Sequence, residues 1–225
     1  MGRFFKLFVF ALTFVSYNTL LAATATPTVY KVTVTKVELC TSSSCSDPVV
    51  LGSTTKEFDI ASASIGADVG TYLSDFTVTL GKTYTHMRST INSTMTTSGT
   101  VTVGSETCNT VTTPSVQAAT ATKVVKTAKA GTLGEVSWVV PDTNGGGDYG
   151  NLTTSFATNG IAKTDGASTF TFTVALALPY TPKSTDIPNI RMSFDVANSL
   201  TATESGGTCV MYLDPPVQSV TISPR

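Results

Sequence analysis

The sequence predicts an all-β protein, an antiparallel β-sandwich with long loops and at most a short helical turn. Three observations lead there. Apolar and polar residues alternate in short runs, most clearly in Ser168–Leu178, where Phe170, Phe172, Val174, Leu176 and Leu178 interleave with Thr169, Thr171, Thr173, Ala175 and Ala177. Gly, Pro and Asn punctuate those runs at short intervals. Threonine, β-branched and with a hydroxyl for the wet face of a sheet, accounts for 43 of the 225 residues.

Charged residues are 13% of the chain and the net charge is −1. That is about half the usual charged share. It leaves neither a basic field for nucleic acid nor an acidic tail. A chain so poor in charge, with a single histidine, suits a long-lived exposed β protein better than a soluble enzyme.

Residues 1–25 read as a secretory signal peptide. Met1–Lys6 is positive, Leu7–Leu21 is apolar apart from Thr13, Ser16, Asn18 and Thr19, and Ala23-Thr24-Ala25 supplies small residues before a cleavage point. Ala22 is a second candidate for that point. The apolar run falls short of the ~20 residues of a membrane span, and no later segment is apolar enough to cross after the signal is removed. Residues 26–225 then form a single sandwich domain, with residue 114 as the place where a second would begin.

Val29 to Leu39 is the first strand. Tyr30, Val32 and Val34 share one parity, and Val37 and Leu39 the other. Either a β-bulge near Thr35-Lys36 restores one apolar face, or the strand is buried on both sides at one end. Cys40 and Cys45 close the turn that follows, and Val49–Leu51 returns. Four cysteines allow three pairings. An oxidising compartment and a lone histidine favour a Cys40–Cys45 disulfide over a metal pair, which leaves Cys108 to pair with Cys209.

Further strands are expected at Thr55–Ile60, at Phe76, Val78 and Leu80, at Thr83–Met95, at Gly99–Val103 and at Val111–Val125 with a break at Pro114. Val136, Trp138 and Val140 come next, then Ile190–Val196, Cys209–Leu213 and Val217–Ile222. Ala61–Leu73 reads as a loop with room for one helical turn, and Pro141–Gly166 as the least structured stretch.

Phe58-Asp59-Ile60, together with Phe76–Arg88 and the preceding Val37-Glu38-Leu39, resembles a pattern in a group of uncharacterised secreted bacterial β-sandwich domains, many of them lipoproteins. In that pattern a Val-Glu-Leu-like strand end precedes an Asp-Ile step and a Gly-x-Tyr-Thr-x-x-Arg step. Here the last step is Gly81–Arg88, one residue longer, and no lipid-attachment cysteine is present. The resemblance spans residues 29–95. It implies an immunoglobulin-like or transthyretin-like sandwich in a bacterial envelope, and it carries no catalytic residues.

Candidate sites are few. His86 sits mid-strand without a nucleophile elbow, and no facing carboxylate pair can be selected. Asp142, Asn144 and Asp148 stand at positions one, three and seven of a calcium-loop spacing, but no Glu follows at position twelve. Trp138, Tyr149 and Phe156 flank the same loop as either a sugar-stacking platform or core. Val217, Val220 and Ile222, after Pro215-Pro216, are the candidate contact edge.

The expectation is a non-catalytic structural or adhesive protein without a cofactor, secreted, periplasmic or at the cell surface. It would act by loop and strand-edge contacts with copies of itself or with an envelope or extracellular partner. The alternative is a carbohydrate- or calcium-binding module using residues 141–166.

Overall fold

The computed structural model describes residues 22–62, 78–114, 116–144, 147–184 and 188–224. The expected signal segment up to residue 21 lies outside these. So do Phe76 and all but the first two residues of the loop expected at Ala61–Leu73.

The protein is all-β and built of mostly antiparallel sheets. Its first strands are β1 (Ala22–Ala25), β2 (Val29–Cys40), β3 (Val49–Gly52), β4 (Lys56–Asp59), β5 (Tyr84–Asn92), β6 (Thr94–Ser98), β7 (Thr100–Val103), β8 (Glu106–Asn109), β9 (Val125–Ala128) and β10 (Val136–Val139). A short helix, α1 (Thr153–Thr158), is followed by β11 (Ile161–Ala162), β12 (Thr169–Tyr180), β13 (Pro188–Asp195), β14 (Leu200–Ser205), β15 (Thr208–Leu213) and β16 (Val217–Pro224).

The large sheet is built around β2. One side of β2 pairs with β4 and β3; the other pairs with β6 and β5. Beyond β5 the order continues β12, β16, β13, and β10 lies beside β6. A smaller sheet has the order β1-β14-β15-β9, and β7-β8 is a separate hairpin. Among the described residues one contact is parallel, between β12 and β16 at Leu176 and Val220.

The register of β2 against β5 shifts between Val34 and Lys36, where Val34 faces Ile91 and Lys36 faces Thr90. Thr35 is the extra residue, and its hydroxyl donates to the Thr90 carbonyl at 3.2 Å. Beyond the bulge, Val37 and Leu39 enter the same buried cluster as Tyr30, Val32 and Val34. Both readings of this strand therefore hold in part, because Glu38 and Cys40 on its other face are buried too.

Glu38 is tolerated there because Arg88, its cross-strand neighbour, donates to it from Nε at 2.8 Å and Lys36 approaches at 2.9 Å. Desolvation pushes this carboxyl up; the two cations outweigh it and hold it below the ordinary value. Asp59 also has a structural task. Its Oδ1 accepts from the Tyr30 and Ala61 amides at 2.9 and 3.1 Å, pinning β4 to the start of β2.

Two disulfides are present, Cys40–Cys45 and Cys108–Cys209, with Cα atoms 4.9 and 5.7 Å apart. The second lies in a separate cluster with Val101, Val125, Trp138, Leu200 and Met211, where β8, β14 and β15 meet. Leu213 packs against both clusters.

Several expectations change. Residues 111–124 form no strand among the described residues, only isolated bridges such as Gln117–Lys126. Among the described residues a helical turn lies at Thr153–Thr158, inside the stretch expected to be least structured. Val217–Ile222 is not an edge: β16 lies between β12 and β13, and Val220 is fully buried. Ala22–Ala25, the last residues of the segment expected to be removed, pair with β14 from Thr203 to Leu200. Cleavage after Ala25 would strip this strand from the sheet, whereas cleavage after Ala22 would keep the pairs of Ala23, Thr24 and Ala25.

The two disulfides should differ in weight. The Cys108–Cys209 pair spans 101 residues and the Cys40–Cys45 pair 5. Loop entropy assigns them about 4.7 and about 2 kcal/mol. Urea unfolding of Cys108→Ala/Cys209→Ala and Cys40→Ala/Cys45→Ala proteins should show the larger loss in the former.

Candidate functional site

The calcium-spaced residues are each committed elsewhere. Asp142 forms an ion pair with Lys163, whose side chain is 1% exposed, and accepts from the Gly166 amide at 3.0 Å. The hydrogen bond from Lys163, then that from Gly166, holds its carboxyl below the usual range. Asn144 Oδ1 accepts from Asn151 at 3.3 Å. Asp148 accepts from Gln117 Nε2 at 3.0 Å and the Val124 amide at 3.2 Å, with Lys126 at 3.6 Å. Among the described residues no three His, Cys, Asp or Glu side chains gather as a metal site. Asp142 and Asn144 bond within the loop, whereas Asp148 ties it to residues 117–126.

Of the two readings of the aromatics flanking this loop, core packing holds for Trp138 and Phe156. Trp138 is 3% exposed and donates its indole N–H to Thr97 Oγ1; Phe156, on α1, is 8% exposed. Tyr149 donates to the Lys123 carbonyl at 3.2 Å. Burial, and then the Asp148 charge, pushes its hydroxyl up to about 12. His86 is half-buried, with Nδ1 2.8 Å from the Thr85 hydroxyl.

What the three rings share is a cavity. It has a volume of about 240 Å³ and lies between the inner face of the large sheet, α1 and the segment from Tyr212 to Gln218. Tyr30, Val32 and Val34 of β2 form its floor with Ile91, Phe170 and Phe172, because the sheet alternation points these residues inward. Phe156 and Leu152 contribute from the helix side, and Met192 and Phe194 from β13. The lining residues Ser155, Asn159, Asp214 and Pro215 are exposed, which places the mouth between α1 and the turn into β16.

Polar groups in the wall are sparse. The Tyr30 hydroxyl reaches the Asp214 carbonyl only at 3.4 Å, and burial, then the Asp214 charge, drives its pKa far above the usual tyrosine value. Gln218 faces inward on β16, with the same parity as buried Val220, and its Oε1 is buried with no hydrogen-bond partner.

The aromatics around the loop were visible in the sequence; their convergence on a shared cavity was not. Gln218, Phe194 and Tyr212 lie far from Trp138 in the chain, and only strand pairing brings them together. Compared with protein-family models, curated proteins and solved structures, the chain matches none.

The loop clamp can be tested directly. Replacing Asp142 by Asn should cost about 2–3 kcal/mol at neutral pH by leaving Lys163 buried without its counter-charge. Asp142 has a depressed pKa when folded, so its contribution is present above the unfolded value of about 4 and is lost as pH falls through the folded value. The gap between the two proteins in thermal melts should therefore close in acid. Added calcium should leave the wild-type melting temperature unchanged.

Proposed function

We propose that this is an exported, non-catalytic structural or adhesive protein of the cell surface or envelope, related to the secreted bacterial sandwiches it resembles, which acts by joining strand edges between copies of itself. The observation that carries this reading is the open edge at β13. Among the described residues β13 pairs only with β16. It is 8 residues long, whereas the strands β1, β3, β4, β9 and β10 are 4 residues each.

Short edge strands are one way proteins avoid unwanted pairing. β13 departs from that rule, and its inward residues Ile190, Met192 and Phe194 are only half-buried against the core. A strand added alongside would complete their burial while satisfying the outer backbone groups. Two disulfides support an oxidising, non-cytoplasmic setting. No helix of the described residues is long and apolar enough to cross a membrane.

Sedimentation equilibrium tests the reading. Wild-type protein should associate as concentration rises, and Ile190→Lys, which puts a charge where the added strand would pack, should remain monomeric with a cooperative melt. A wild-type protein that stays monomeric throughout, or a variant that associates equally well, would contradict it.

A further inference from the structure

We infer that the cavity is a binding site for a small aromatic molecule of about ten non-hydrogen atoms that carries one hydroxyl or N–H donor. The inference is independent of edge pairing, since it concerns the interior of the sandwich.

Three features of the cavity define the ligand. The first is size. A cavity of ~150 Å³ lined by aliphatic and aromatic side chains stays dry and accepts benzene. At that packing, the volume of about 240 Å³ found here holds roughly ten non-hydrogen atoms. The second is the wall. Tyr30, Trp138, Phe156, Phe170, Phe172 and Phe194 bring rings from five separate elements to one space. Aromatic walls favour an aromatic guest through edge-to-face and offset contacts.

The third feature is Gln218. A buried amide oxygen without a partner is unusual, because buried polar side chains are nearly always hydrogen-bonded. Gln218 Oε1 has none, and the residue lines the cavity. Opposite it in the ladder stands Phe194, which also lines the cavity. An apolar guest carrying a single hydroxyl or N–H would satisfy the oxygen and fill the space at once. A guest of the same shape without the donor would leave the amide unpaired. Entry is between α1 and Asp214-Pro215, where the lining residues are exposed.

The test uses the full mature protein and two probes of matching shape, 4-propylphenol and 4-propyltoluene. Isothermal titration calorimetry should show the phenol binding about tenfold more tightly than the toluene. Gln218→Leu should erase that preference, and Val140→Phe, which fills the cavity from its wall, should abolish binding of both. A second readout needs no variant. Met95 and Met192 line the cavity while Met87 and Met211 do not, so the phenol should move only the first two methyl resonances in carbon-13 spectra. Failure of both probes to bind, equal binding of the two, or shifts at Met87 and Met211 instead would overturn the assignment.

Discussion

One extra residue in β2 sets the arrangement of everything else. Side chains alternate across a strand with period two, so a regular strand from Val29 to Cys40 would send Tyr30, Val32 and Val34 to one face and Val37 and Leu39 to the other. The bulge at Thr35 resets the phase, and all five side chains join a single buried cluster. Because β2 carries β3 and β4 on one flank and β5 and β6 on the other, the reset is transmitted to both halves of the sheet. The Thr35 hydroxyl holds the distortion in place through the Thr90 carbonyl.

Burying both faces of the strand end creates an electrostatic demand, which Arg88 and Lys36 meet at Glu38. Removing either cation would leave the buried carboxylate short of a partner, which is strongly destabilising. Glu38, Asp59, Tyr84 and Arg88 are polar residues of β2, β4 and β5. All four have structural tasks: Tyr84 is fully buried and its hydroxyl accepts from the Thr79 amide, while Asp59 fixes the start of β2.

Legibility in the sequence followed burial and periodicity. The strands with strong alternation, β12 and β13, and the bulge in β2 could be read because branched and aromatic residues mark their inward faces. β14 was missed. Its inward residues are Leu200 and Ala202, both fully buried, but Leu-Thr-Ala-Thr-Glu-Ser has too little apolar contrast to signal a strand. The position of β16 was misread for a different reason. A chain terminus suggests an edge, but β13 folds back over it in an eight-pair antiparallel ladder from Pro188 to Asp195. Loop 141–166 showed its carboxylates and aromatics in the sequence. It did not show that Lys163, from within the same loop, and Lys126, from β9, already hold Asp142 and Asp148, or that the rings turn inward. Such facts depend on tertiary pairing between residues distant in the chain.

The cavity follows from the same constraint, since its floor is the first half of β2 and its shape depends on that half facing the same core as the second. Deletion of Thr35, followed by urea unfolding and amide hydrogen exchange, is therefore the most direct measurement. If the bulge sets the phase of the strand, the deletion protein should lose cooperative unfolding and slow exchange across both β2 and β5. A deletion protein that unfolds cooperatively at near wild-type urea concentration, with β2 still protected, would contradict this.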